Sequence, residues 1–382
     1  MGKNSRQYMP SARKIGSRVR HRHPTGTDLE LLREWRAGAM VRSEMNALTL
    51  VRALGFVSAV TSAACSSTST PPVEPSVPVV GKCWKVADVP SLGADFDNVP
   101  GQQPVDFAIW PAADGTWQLW SCIRGTKEEG NTRLFHRWEG LGLDEASGPF
   151  VPKGIAMRAG RAQPAGAPND GQFDASFGEE PGGLQAPYVW RDGSVWRMVY
   201  GTWGNLGEQV STDGKTFARV PRTGPDVRIF APAADGKRDP MLLPVGGTKY
   251  LYFTANSSVY VSTSTDGTNF SAPKEVAHGG NAGTGGSDAE CPFVVRRDDG
   301  YFYLFRTSQV HAPCNYCPGV TTYVYASTDP TDFGIDDDRK LIAELPIAAP
   351  EIHTVDGVDY IARLLESVQG IQVCELRWQA SR

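Results

Sequence analysis

Between residues 105 and 362 an apolar strand, a tight turn and a second, mostly aromatic strand recur five times in the same order. The units are Val105-Asp106-Phe107-Ala108-Ile109-Trp110, then Asp114-Gly115, then Trp117-Gln118-Leu119-Trp120; and Gln185 to Trp190, then Asp192-Gly193, then Trp196 to Tyr200. The third runs Arg238-Asp239-Pro240-Met241-Leu242-Leu243, Gly246-Gly247, Tyr250 to Phe253. The fourth runs Glu290-Cys291-Pro292-Phe293-Val294-Val295, Asp299-Gly300, Phe302 to Phe305, and the fifth Ala349-Pro350-Glu351-Ile352, Asp356-Gly357, Tyr360 to Ala362. Asp-Gly and Gly-Gly between apolar runs mark hairpins, because the favoured two-residue turn needs positive φ at its centre. A second turn follows in three units: Ser211-Thr-Asp-Gly-Lys-Thr-Phe217, Ser264-Thr-Asp-Gly-Thr-Asn-Phe270 and Ser327-Thr-Asp-Pro-Thr-Asp-Phe333. These join the outer two strands of a four-stranded unit. Five such units read as an all-β, five-bladed propeller; unrelated hairpins in a β-sandwich would not need one repeated order of elements.

The first 65 residues have no part in that pattern. Residues 1 to 44 are basic, and Met45 to Cys65 holds a short apolar core followed by small residues, the layout of an export signal, with translation starting at Met40 or Met45. Ser62-Ala63-Ala64-Cys65 resembles a bacterial lipobox, with Ser where Leu is usual, and makes Cys65 a candidate for lipidation. The alternative is an ordinary secretory signal cut near Ala64. The Ser-, Thr- and Pro-rich stretch from 66 to 80 reads as a tether, leaving 81–382 for the propeller. The expected whole is therefore a disordered, processed leader, a linker and one β-domain at the bacterial cell envelope, or in the periplasm or medium if Cys65 carries no lipid.

Charge narrows the partners. Residues 1 to 65 carry 11 Lys or Arg and 4 Asp or Glu of the chain's 38 and 42, so the remainder has 27 basic and 38 acidic residues. A domain with that balance is not built to hold nucleic acid. A lipid on Cys65 would be its contact with a membrane, and no feature demands more than a monomer. Export permits disulfides among the six cysteines after Cys65. Cys314-Asn-Tyr-Cys317 lacks the second ligand pair of a zinc site and reads as a loop staple, while Cys83 and Cys374 sit where a bridge would join the domain's ends.

Propeller blades start their innermost strands around one mouth of a central funnel, so Asp106, Asp239 and Glu290 are expected to converge. Glycoside hydrolysis needs such a set: one carboxylic acid to protonate the leaving oxygen and one carboxylate to attack the anomeric carbon or activate water. A third carboxylate raises the acid's pKa by like-charge repulsion. Asp97 is the alternative first-blade carboxylate. Trp110, Trp203 and Tyr316 are candidate platforms for a sugar face, and His311 lies in a loop able to reach the mouth. Glu351 follows its proline and is given no catalytic role. The chemistry needs neither metal nor organic cofactor.

Arg238-Asp239-Pro240 followed 51 residues later by Glu290-Cys291-Pro292 resembles the Arg-Asp-Pro and Glu-Cys-Pro motifs of glycoside hydrolase family 32, whose five-bladed superfamily also includes family 43. The resemblance spans roughly residues 95 to 378. It implies that Asp239 steadies the transition state and orients sugar hydroxyls, that Glu290 is the general acid/base, and that Arg238 binds a substrate hydroxyl. Where that family has Asn-Asp-Pro-Asn-Gly around its nucleophile, this chain has Val105-Asp106-Phe107-Ala108-Ile109, so Asp106 matches without its neighbours. The expectation is an exported hydrolase of oligo- or polysaccharides acting on furanose or pentose units. The alternative is a propeller of the same fold that binds carbohydrate and has lost turnover. The sialidase pattern fits less well: its repeated box is one residue longer and ends in Trp, and its arginine triad is not recognisable in the sequence.

Overall fold

The computed structural model describes residues 74–128, 133–159, 180, 183–202, 206–220 and 237–380. The leader, Cys65 and Trp203 lie outside the described residues. Five antiparallel sheets radiate from an axis. Blade 1 is β2 (Gln103–Pro111), β3 (Trp117–Arg124), β4 (Leu134–Gly140) and β5 (Val151–Met157). Blade 2 is β6 (Gln185–Asp192), β7 (Val195–Gly201), β8 (Leu206–Ser211) and the short β9 (Ala218–Arg219). Blade 3 is β10 (Arg238–Val245), β11 (Thr248–Ala255), β12 (Ser258–Ser264) and β13 (Lys274–His278), extended by a parallel pairing with β17 (Gly334–Ile335). Blade 4 is β14 (Glu290–Arg296), β15 (Phe302–Ser308), β16 (Thr321–Ser327) and β18 (Leu341–Leu345).

Blade 5 takes its inner three strands, β19 (Glu351–Val355), β20 (Val358–Leu364) and β21 (Ile371–Ala380), from the end of the chain and its outer strand, β1 (Ser76–Ala87), from the beginning. The ring is thus closed by pairing of distant segments. β1 begins inside the stretch read from sequence as a tether, so residues 76 to 80 are strand, not linker. An edge strand tolerates Pro78, which has no N–H to give. Cys83 and Cys374 face each other across this seam and are disulfide-bonded. That bond closes a separation of 291 residues, so the Cys83→Ala/Cys374→Ala protein should lose about 3–5 kcal/mol of stability. Urea unfolding of the two proteins measures it, and a difference below about 1 kcal/mol would show that the seam holds without the bond.

The Asp turns sit where expected, between β8 and β9, β12 and β13, and after β16. In the first, Asp213 Oδ1 accepts the N–H groups of Lys215 and Thr216 and the Ser211 hydroxyl; in the second, Asp266 does the same for Thr268, Asn269 and Ser264. Aromatic rings fill the spaces between blades. Trp110 is one of them: it is buried, packs against Trp120 and Phe217, and donates its indole N–H to Gly214 of the next blade's turn. It is therefore no sugar platform. Four residues beyond Asp106 at about 3.3 Å each, it lies some 13 Å down the strand from the mouth.

What the sequence pattern did not reveal is a ring of backbone kinks. Asp106, Ala186, Asp239, Cys291 and Ala349, one at the start of each inner strand, all have positive φ, between 38° and 54°. In the first four blades the pairing slips at that point, the mark of a β-bulge. In four of the five the next residue is proline, which could not have donated to the ladder in any case. Neighbours on a regular strand point to opposite faces. The bulge breaks that rule and lets two consecutive side chains face one place.

Candidate functional site

Two consecutive residues in each of blades 3 and 4 use this bulge. Arg238 and Asp239 come from one, Glu290 and Cys291 from the other. Glu290 therefore sits one register position before Asp106 and Asp239, not at the equivalent place. The three acids still converge, together with Tyr316.

The Tyr316 hydroxyl lies 3.4 Å from Asp106 Oδ1 and 3.3 Å from Glu290 Oε2, so the two carboxyl groups are within two hydrogen-bond lengths of each other. The Cys291 thiol donates to Asp106 Oδ1 at 3.2 Å, and its backbone N–H donates to Asp239 Oδ2 at 3.1 Å. Arg238 spans the other side: Nη2 donates to Glu290 Oε1 at 2.7 Å and to the Gly286 carbonyl at 2.8 Å, and Nε lies 3.6 Å from Asp239 Oδ2. At the ring of kinks, Asp106, Asp239 and Cys291 join Tyr188, Phe293 and Glu351 in lining a small axial cavity. Glu351 is buried there and accepts the Ile109 N–H at 2.9 Å, away from the other acids' hydrogen bonds.

Burial and mutual repulsion hold these groups toward their neutral forms. Burial pushes Asp239 up to about 6, with the charge of Asp106 in the same direction and Arg238 opposing. Glu290 is raised by burial, against Arg238, with the charge of Asp239 adding to the rise. Asp106 is raised by burial and then by Glu290, and its rise is opposed by Arg133, the Cys291 thiol and Arg124. Tyr316 and Cys291 are pushed well above their ordinary values, so both stay protonated and act as donors. Asp106, Asp239 and Cys291 offer ligand atoms within 4.8 Å of one another, the one grouping among the described residues that could hold a metal ion. Cys291 would first have to lose its proton, which its burial among acids resists.

Other candidates lie elsewhere. Asp97 caps a turn, accepting the Leu92 N–H and the Ser91 hydroxyl, and these bonds hold it below the usual carboxylate range. It is not the first-blade carboxylate. His311 is exposed on the 309–320 loop and makes no side-chain hydrogen bond among the described residues; the residue this loop sends into the site is Tyr316. The loop is stapled by the Cys314–Cys317 disulfide, and Gln309 Oε1 accepts the Tyr316 N–H at 2.8 Å. Tyr316 acts through its hydroxyl, since its ring is buried beneath the Arg124 guanidinium and offers no open platform. Sequence reasoning missed the hydroxyl bridge, the Cys291 thiol and the two first-blade arginines.

The raised Asp239 has a thermodynamic consequence. It binds its proton more tightly folded, near 6, than unfolded, near 3.8, so its stabilising contribution is full below pH 3.8 and is lost as the pH rises through 6. Asp239→Asn keeps an acceptor for Cys291 and removes that loss. Relative to wild type, the variant should gain on the order of 2 kcal/mol between pH 3.5 and pH 7.5, read from urea unfolding at each pH. A difference between the two proteins that does not change with pH would contradict the assignment.

No protein-family profile matches the chain, and no curated protein matches it. Among solved structures, a thermostable family-43 glycoside hydrolase superposes with a TM-score of 0.51 at 15% identity, covering 75% of this chain and 92% of that one. The catalytic domain of a Coprinopsis cinerea α-L-arabinofuranosidase matches with a TM-score of 0.48 at 13% identity, over 80% of this chain and 98% of that one. An endo-arabinase from Bacteroides thetaiotaomicron gives 0.48 at 15%, over 78% and 98%. The first of these likenesses places the chain in a fold class: the five-bladed β-propeller that also builds a family-43 glycoside hydrolase.

Proposed function

We propose that this chain is a glycoside hydrolase that cleaves terminal pentose or furanose units from oligo- or polysaccharides. The observation that carries the reading is the Tyr316 hydroxyl placed between Asp106 and Glu290, with Asp239 beside Asp106, at one mouth of the propeller. Glu290, raised by burial, is the proton donor to the leaving oxygen. Asp106 is the nucleophile; Asp239 and Arg238 bind ring hydroxyls, and Arg238 also orients Glu290. Tyr316 holds the acid and the nucleophile at a fixed separation. The two hydrogen bonds, 3.4 and 3.3 Å, set an upper limit on the separation that takes in both the roughly 5–5.5 Å of retaining enzymes and the short end of the roughly 6.5–9.5 Å of inverting ones. It is the resemblance to family 32 that favours retention through a covalent glycosyl-enzyme.

The experiment is a broad panel of aryl furanosides, aryl pyranosides and plant polysaccharides, with proton NMR of the first-formed sugar. The reading expects release of a pentose with its anomeric configuration kept. Binding without turnover on every member would instead establish a lectin-like propeller; an inverted product would make Asp106 the base of a water attack. Export is part of the proposal, supported by the two disulfides, which suit an oxidising compartment. We infer that Cys65 carries the lipid and that the domain acts as a monomer; mass spectrometry of the membrane-extracted protein tests the first and sedimentation the second.

A further inference from the structure

Around the acid cluster stand three guanidinium groups. Arg238 is paired with Glu290, and the charges of Arg124 and Arg133 both bear on Asp106. Arg238 is committed to Glu290 and the Gly286 carbonyl and Arg133 is also engaged, which leaves Arg124 as the cation with capacity for a ligand.

Arg124 lies part-exposed beside the Tyr316 ring. It is the last residue of β3, and its Nε and Nη2 donate to Gln103 Oε1 at 2.9 and 2.8 Å while Nη1 donates to Asn315 Oδ1 at 2.8 Å. Its carbon lies 5.6 Å from the centre of the Tyr316 ring, whose hydroxyl touches Asp106 and Glu290. Both oxygens that hold it belong to neutral amides, and among the described residues no carboxylate forms an ion pair with it. Three of the five N–H groups of an arginine are thus used, and one remains on each terminal nitrogen. A guanidinium held in place by neutral partners, part-exposed at the rim and with a donor left on both arms, is built to receive a planar bidentate anion. Asn315 precedes Tyr316 inside the Cys314–Cys317 staple, so the same short loop fixes the rim arginine and the hydroxyl between the acids.

We propose that the glycan bound here carries a carboxylate of the uronic-acid kind, next to the unit that is cleaved, and that Arg124 binds it. The inference rests on the glycoside hydrolase reading for its placement beside the scissile bond, but not for the binding itself. The test is calorimetry of the full chain carrying Glu290→Gln, which leaves the ligand intact. Two ligands are compared: a xylo-oligosaccharide bearing one glucuronic acid, and the same compound after chemical reduction of its carboxyl to an alcohol. We expect the carboxylated form to bind at least about 10-fold more tightly, the preference to shrink with added salt, and Arg124→Gln to abolish it while Arg124→Lys keeps part of it. Equal affinities, a preference that survives Arg124→Gln, or no measurable binding of either compound overturns the proposal. Unchanged melting temperatures of the two Arg124 variants separate loss of the anion site from loss of the fold. Should the substrate panel show no turnover while the carboxylate preference stands, the hydrolase reading falls and the anion site remains.

Discussion

Glu290→Gln is expected to lower turnover of glycosides with poor leaving groups by about 100-fold or more, while binding survives. Glutamine keeps the size of the side chain and an oxygen for Arg238 Nη2, which donates to Glu290 Oε1 at 2.7 Å, so the positioning of the site changes little. What disappears is the proton. Aryl glycosides whose leaving phenol needs no protonation should therefore lose far less, and the ratio between the two substrate classes is the diagnostic quantity. The same variant should lose the alkaline limb of the kcat/KM profile. That limb lies above the ordinary glutamate range in the wild type, because burial raises Glu290 despite Arg238, and the charge of Asp239 adds to the rise. Equal losses on activated and unactivated substrates would remove Glu290 from the role of acid and leave it as a partner of Arg238.

The blades were legible because their turns are chemically demanding. Asp-Gly and Gly-Gly at the inner hairpins, and the Ser-Thr-Asp turns outside, need particular residues at particular places, and those residues repeat. The closing strand was not legible. Ser76 to Val80 is rich in proline and valine like the tether before it, and its partner on β21 lies almost the whole length of the domain away. Only the Cys83 and Cys374 pair hinted at the seam. The acids were found by their neighbours in sequence, yet the reason they meet is backbone geometry: the positive-φ kink at Asp106, Asp239 and Cys291 turns two successive side chains to one face. Periodicity arguments assume a regular strand and cannot see this. Trp110 failed as a platform because it stands four residues down the strand and packs against Trp120 and Phe217, contacts that strand assignment alone does not reveal. Tyr316 was singled out for its ring and matters for its hydroxyl, which depends on a loop fold fixed by Gln309 and a disulfide.

Asp106 carries the largest expected effect, and its backbone decides which substitution can be trusted. Its φ of 40° lies in the left-handed region, which asparagine and aspartate adopt more readily than other side chains that have a Cβ. Asp106→Ala would combine loss of the carboxylate with backbone strain and an emptied place beside the Cys291 thiol, so its inactivity would decide nothing. Asp106→Asn keeps the shape, the kink and an oxygen for Cys291 and Tyr316, and removes one buried acid whose ionisation burial and Glu290 already oppose. The variant should therefore melt at or above the wild-type temperature. Its turnover should nevertheless fall by about 10⁴-fold or more, since an amide forms no glycosyl ester. If the retaining mechanism holds, azide entering the space emptied in Asp106→Ala, where Asn leaves no room, should restore measurable turnover on an activated substrate and give a glycosyl azide of inverted configuration. Hydrolysis that continues unchanged in Asp106→Asn would leave the Tyr316 bridge as a structural feature only. The nucleophile would then have to be sought at Asp239, the other acid beside the Cys291 thiol.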